Sequence, residues 1–192
     1  MCRNQTVSAF RQSGFLSPEE CRRIRAAMDR GASEAAEILE AGVTTQPRTR
    51  NASLIEPGAD VIDLIETRLD AARDQIAASL ALPLGDREGV GFIRYPPGGF
   101  YKPHRDRGED PQWPAAARRA AAVVIFLNSS RGASRAAGEF DGGILRLLEP
   151  PAETLIPRAG LLVAFPADVL HEVTAVRGGT RDTIVDWFYF RR

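Results

Sequence analysis

Lysine is almost missing from this chain: Lys102 is the single lysine among 25 basic residues, and the others are arginine. These are balanced by 25 acidic residues, so the formal net charge is zero. Without a basic excess there is no electrostatic footprint for nucleic acid or an anionic membrane. Cysteine is equally scarce. Cys2 and Cys21 match neither a paired zinc-ligand spacing nor a disulfide framework, and read as two free thiols in a reducing cytoplasm. No apolar run approaches the roughly 18 residues needed to cross a bilayer. The opening M-C-R-N-Q-T-V lacks the apolar core of an export signal. A cytoplasmic protein without nucleic-acid or membrane partners is expected, its oligomeric state left open. Histidine is the last scarcity. Only His104 and His171 occur, so any imidazole chemistry rests on these two.

What is present suffices for a sizeable core. The chain has 192 residues, 44% of them hydrophobic, which predicts one domain over residues 1–192. Ser17-Pro18-Glu19-Glu20 is a capping box with Pro at the first helical position. It opens a helix reaching about Gly31, with Cys21, Ile24, Ala27 and Met28 on one face. A second helical stretch is expected over 33–41, and weak strand over 42–55. The strongest helix spans 60–82, where Ile62, Ile65, Leu69, Ala72, Ile76 and Leu80 form a stripe of helical period. From Gly89 the pattern changes to short apolar or β-branched runs at 90–95, 121–127, 144–148, 161–165 and 183–190. Gly and Pro clusters separate them, which indicates a sandwich or barrel. A helical layer over about 17–82 and a β core over about 89–192 follow. Residues 107–118 and 129–141 lack periodicity, and the second of these is expected to be a mobile loop.

Within the β region, residues 92–106 read F-I-R-Y-P-P-G-G-F-Y-K-P-H-R-D. Side chains two apart in extended chain point the same way, so His104 and Asp106 can aim an imidazole and a carboxylate at one point. With a second His they would make a 2-His-1-carboxylate triad, which holds one face of an octahedral Fe(II) and leaves the rest open. Alone, H-x-D is a common tripeptide, most often a surface turn. His171 is separated from Asp106 by sixty-four residues, enough for the strands that would bring it back beside the pair. A lone His is more often a satisfied core residue than a ligand. Ten residues further, Arg181 shares a strand face with Thr183, Val185 and Trp187. If that face is buried, the guanidinium needs an anion, and a bidentate carboxylate is the natural one. If it is exposed, Asp182 or Asp186 would pair with it.

Five pieces occur in order: R-Y-P-P-G-G-F-Y-K-P-H-R-D, V-I-F-L-N, G-E-F-D-G-G-I-L-R-L, P-R-A-G-L-L-V-A-F-P, and H-E-V with G-G-T-R after it. Together with the early G-F-L-S-P-E-E-C, this series resembles the Fe(II)/2-oxoglutarate-dependent dioxygenase superfamily, in its prolyl 4-hydroxylase-like branch. The resemblance covers about residues 10–192. It implies an α+β fold: a double-stranded β-helix (jelly-roll) core with N-terminal helices packed on one sheet. It implies Fe(II) held by His104, Asp106 and His171, 2-oxoglutarate and O2 as co-substrates, and ascorbate as a stimulant. Arg181 matches the residue that grips the distal carboxylate of 2-oxoglutarate. Tyr95 matches a co-substrate-pocket tyrosine, Tyr101 a tyrosine near the substrate entrance, and Trp187 an aromatic beside the active site. One departure stands out: Phe126 occupies a place where relatives often carry a co-substrate tyrosine, with Tyr95 or Thr183 as replacement donors. Asp106 favours hydroxylation over halogenation. The reaction implied is decarboxylation of 2-oxoglutarate to succinate coupled to hydroxylation of an unactivated C–H, in a small molecule or a peptide. A non-catalytic jelly-roll binding module and a zinc hydrolase are the alternatives.

Overall fold

In the computed structural model, residues 9–35, 49–109, 113–131 and 139–192 are described. The first elements are strand β1 (Phe10–Gln12), helix α1 (Pro18–Met28), strands β2 (Ala32–Ala35), β3 (Arg50–Asn51) and β4 (Ser53–Glu56), and helix α2 (Ala59–Leu80). Then come β5 (Leu84–Arg87), β6 (Gly91–Tyr95), β7 (Phe100–His104), β8 (Arg119–Phe126), β9 (Asp141–Gly142), β10 (Leu145–Leu147) and β11 (Glu153–Leu155). The chain ends with β12 (Leu162–Pro166), β13 (His171–Val173), β14 (Val176–Gly178) and the long β15 (Arg181–Phe190).

The larger sheet runs β1-β12-β8-β15-β6-β4-β2, with β5 on the end of β15. The smaller runs β11-β10-β13-β7-β3, and β14 pairs with β9 apart from both. The strand pairs between named elements are antiparallel. The fold is a jelly roll with two helices against its larger sheet, as expected. Strands preceding α2 enter both sheets: β1 and β4 the larger, β3 the smaller.

Strand β8 explains the layering. Its run Ala121 to Phe126 is apolar at every position because both faces are covered. Ala121, Val123 and Ile125 pack toward the helices, while Ala122, Val124 and Phe126 pack between the sheets. Helix α2 covers the helix-side face with Val61, Ile65, Leu69, Ala72, Ile76 and Leu80. Ile62 stands only half-buried at its edge. Full burial of one such aliphatic side chain is worth about 1.5–3 kcal/mol.

One helix expectation fails. Residues 32–35 form a strand paired with β4, and the remainder of 33–41 lies outside the described residues, as do Val43, Thr44 and Thr45. The Ala and Glu content of that stretch favours helix. However, Gly31 passes so close to β4 that a Cβ there would sit 2.2 Å from the Glu56 carbonyl oxygen. That approach delivers the next residues to an open sheet edge, and ladder pairing overrides local propensity. The expected loop over 129–141 falls mostly outside the described residues. Its two ends are tied by a Ser130–Phe140 bridge.

The capping box is present. Ser17 Oγ accepts from the Glu20 N–H at 3.2 Å, and the Glu20 carboxylate accepts from the Ser17 N–H at 2.8 Å. Arg68 from α2 grips the same carboxylate. The Ser17 backbone N–H and then Arg68 hold Glu20 at a pKa of about 2. A depressed folded-state pKa adds stability above the unfolded value of about 4.3, lost as pH falls through the folded value. Glu20→Gln should therefore lower the thermal midpoint at pH 7. The gap to the parent protein should narrow between about pH 5 and pH 2, which a series of melts across that range would check.

Candidate metal centre and its cavity

The turn Pro96-Pro97-Gly98-Gly99 ends β6 and starts β7, which carries Tyr101 and His104. In the smaller sheet β7 pairs with β13, and His171 stands directly across from His104. Asp106 follows β7, and its backbone N–H donates to the Ala167 carbonyl at 3.0 Å, tying it to the turn before β13. Ligand atoms of His104, Asp106 and His171 lie within 4.8 Å of one another. The Asp106 oxygens are 3.6 Å from His104 Nε2 and 3.5 Å from His171 Nε2. Those separations are too long for direct hydrogen bonds and leave room for a cation between the three.

The tautomers follow from the backbone. His104 Nδ1 lies 2.8 Å from the Lys102 carbonyl, and His171 Nδ1 lies 2.9 Å from the Val169 carbonyl. A carbonyl only accepts, so each Nδ1 carries a proton, and each Nε2 faces Asp106 as the nitrogen left to ligate a metal. This is the arrangement of metal-binding imidazoles held by an outer hydrogen bond. Burial would raise the Asp106 carboxyl, but His171, His104 and the Trp187 indole outweigh it and hold it well below the usual range. Burial, aided by the like charge of His104, pushes the His171 imidazole down. The donor set is a carboxylate and two imidazole Nε2 atoms, which suits Fe(II).

The cluster opens into a cavity of about 700 Å³ lying between the sheets. Arg181 lines it at 2% exposure. Alternation along β15 sends Arg181, Thr183, Val185 and Trp187 inward and turns Asp182 and Asp186 toward the helices. There Asp182 pairs with Arg25 and Arg94, and Asp186 with Arg87. The two acids that could have neutralised Arg181 therefore face away. Among the described residues no carboxylate lies within ion-pair distance of it, and its Nε has no acceptor. Its Nη1 donates a long hydrogen bond, 3.4 Å, to Thr183 Oγ1. Burial pushes its pKa down. An isolated buried cation is costly, so the site is built to receive an anion.

The neighbours of Arg181 are set by register. Tyr95 is its cross-strand partner on β6, with the guanidinium 4.8 Å from the ring centre. Phe126 stands opposite Thr183 on β8 and lies 5.4 Å below the guanidinium. Phe126 thus supplies a ring face and no hydroxyl, and the hydroxyls beside Arg181 come from Tyr95 and Thr183. Tyr101 stacks on His104 with centroids 3.4 Å apart, and burial raises its phenol pKa. Trp187 lines the cavity beneath Arg119, whose guanidinium is 3.9 Å from the indole.

Sequence reasoning passed over two supports of Arg181. Gly143 has φ 60°, and a Cβ on it would sit 2.9 Å from Arg181 Cδ. Asn128 donates to the Thr180 carbonyl at 2.8 Å and accepts from the Asp182 N–H at 3.1 Å, bracketing the Arg181 backbone. The Gly-Gly pair and the polar Asn ending an apolar strand were the available signals. Cys21 is a buried free thiol, with burial pushing it up to about 11. Cys2 lies outside the described residues. No helix among the described residues is long and apolar enough to cross a membrane.

A model of the 2OG-Fe(II) oxygenase superfamily matches residues 90–189. A prolyl-4-hydroxylase from Pseudomonas putida is 31% identical with TM-score 0.72, covering 97% of this chain and 95% of its own. A viral collagen prolyl hydroxylase from Paramecium Bursaria Chlorella virus-1, solved as a 2OG complex, is 21% identical with TM-score 0.65, covering 100% and 99%. A Trichoplax adhaerens prolyl hydroxylase, solved with a hypoxia inducible factor peptide fragment, is 18% identical with TM-score 0.75, covering 97% and 85%. No curated protein matches significantly.

The geometry predicts one divalent cation per chain. Calorimetric titration with Mn(II) in place of the oxidisable Fe(II) should give a stoichiometry near one. His171→Ala should abolish that binding.

Proposed function

The chain belongs to the 2OG-Fe(II) oxygenase superfamily, and we propose which of its residues carry the reaction and on what. It is a hydroxylating dioxygenase that uses Fe(II), 2-oxoglutarate and O2. The overall change is R–H plus 2-oxoglutarate plus O2 to R–OH, succinate and CO2. In our reading His104, Asp106 and His171 hold the iron, which when bound supplies the oxidising chemistry. The observation that carries this reading is the convergence of two Nε2 atoms and one carboxylate at the head of a cavity floored by a guanidinium with no ion-pair partner among the described residues.

Arg181 takes the distal carboxylate of 2-oxoglutarate, the anion its burial calls for. Tyr95 and Thr183 offer hydroxyls beside that carboxylate, and Phe126 closes the floor against water. With the far end fixed, the keto end of the co-substrate is directed toward the triad. No side chain has to act as a general base. Tyr101 and Trp187 border the substrate space, Tyr101 anchored by its stack on His104. The substrate is a small molecule or a short peptide segment, in keeping with a cavity bordered by Tyr101, Val185 and Trp187. Residues 1–192 act as one catalytic domain, in keeping with strands on both sides of α2 sharing the sheets. A cytoplasmic setting agrees with the buried, unreactive Cys21. The superfamily match and the unpaired Arg181 favour neither a binding-only module nor a zinc hydrolase.

Two variants test the roles. His104→Ala should abolish coupled succinate release from a panel of candidate substrates under Fe(II) and ascorbate, and undiminished turnover would remove the iron assignment. Removing a buried guanidinium–carboxylate contact costs on the order of 2–5 kcal/mol. Arg181→Ala should therefore raise the half-saturating 2-oxoglutarate concentration by about 30-fold or more, with Mn(II) affinity unchanged.

A further inference from the structure

Four arginines line the cavity: Arg50, Arg105, Arg119 and Arg181. Arg105 is paired with Glu149 and Arg119 with Glu88. Arg181 is the cation assigned to the co-substrate. That leaves Arg50. It sits on β3 directly across from Tyr101 on β7, with its guanidinium 4.7 Å from the Tyr101 ring centre. Tyr101 stacks on His104 in turn, so Arg50 is one ring removed from a triad imidazole. Its Nε is buried without an acceptor, and among the described residues no carboxylate lies within ion-pair distance of it. The acids that line the same cavity do not serve it: Glu88 is held by Arg119 and Trp113, Asp106 belongs to the triad, and among the described residues neither Glu34 nor Glu109 makes an ion pair with it. A guanidinium over an aromatic face, with a buried donor lacking an acceptor, is preorganised for planar recognition of an anion.

We propose that Arg50 is a second carboxylate site of the cavity, and that the substrate carries a carboxylate which this arginine grips while Tyr101 and Trp187 pack on the substrate's apolar body. The argument is one of charge balance. Two guanidiniums with no ion-pair partner among the described residues face one cavity, and 2-oxoglutarate brings a single free carboxylate once its keto end is turned to the triad. The second cation calls for a second anion, and the substrate is the remaining molecule in the reaction. The assignment rests on the co-substrate reading of Arg181, and the two separate experimentally.

The test uses the full chain loaded with Mn(II) and then saturated with N-oxalylglycine, so that the triad and Arg181 are both occupied. Benzoate and benzamide are titrated into this complex by calorimetry, as probes alike in shape and different in charge. Benzoate should bind at least tenfold more tightly than benzamide. Arg50→Gln should erase the difference while leaving Mn(II) and N-oxalylglycine affinities unchanged, and Arg50→Lys should restore part of it. Equal binding of the two probes to the parent protein overturns the proposal. So does a benzoate preference that survives Arg50→Gln, or a loss of N-oxalylglycine affinity in that variant, which would assign Arg50 to the co-substrate. Failure of N-oxalylglycine to bind the parent protein would instead count against the Arg181 reading, and appears before either probe is added. Repeating the comparison with short peptides ending in a free carboxylate or an amide distinguishes a chain terminus from a small acid as the source. Preference for the acid in either arm supports the site.

Discussion

Pairing of β7 with β13 is the constraint on which the site depends. It puts His171 across from His104, and a one-residue slip would turn one imidazole to the far face of the sheet. Main-chain carbonyls two residues before each histidine fix both tautomers. The two Nε2 atoms are thus aimed by the backbone. The loop after β7 adds Asp106, held by its bond to Ala167. Such preorganisation lets a metal site keep its shape while the open coordination positions do chemistry.

Strand β15 distributes charge between two environments. On its helix side, Asp182 and Asp186 are fully buried and each is met by arginine: Arg25 of α1 and Arg94 of β6 on the first, Arg87 of β5 on the second. Buried ion pairs of this kind add little net stability, but losing one partner leaves an uncompensated charge and costs about 3–5 kcal/mol. They therefore tie α1 and β5 to β15. On its cavity side the same strand presents Arg181 with no carboxylate in ion-pair distance among the described residues. The helix layer contributes through Arg25, which with Arg94 holds Asp182 on the face of β15 turned away from Arg181.

Much of this was legible along the chain. The Ser17 capping box, the α2 stripe and the main strands of the larger sheet are short-range patterns, set by helical or strand period and by turn residues. Apolar positions at 121–127 read correctly as buried strand. The clustering of His104 with Asp106 was also legible, since it needs only alternation. Residues 33–35 read as helix because their composition favours it, while an adjacent sheet edge makes them strand. Short strands such as β1, β9, β11 and β14 carry too few residues for any period to show. Arg50 gave no signal, because nothing in T-R-T-R-N marks one arginine as facing a cavity and its neighbour as not.

Along the chain alone one could read the two helices, the longer strands, the order of the motifs and the set of residue types available to a metal: two imidazoles, a nearby carboxylate and a distant arginine. Those follow from local periodicity and from chemistry that each side chain carries wherever it goes. Tertiary structure decided which groups are left without partners. Whether Arg181 pairs with Asp182, whether Arg50 meets an acid, and whether Phe126 lies under a guanidinium all depend on strand register between segments far apart in the chain. An unsatisfied charge is defined by everything that surrounds it, and the surroundings exist only after the sheets have closed.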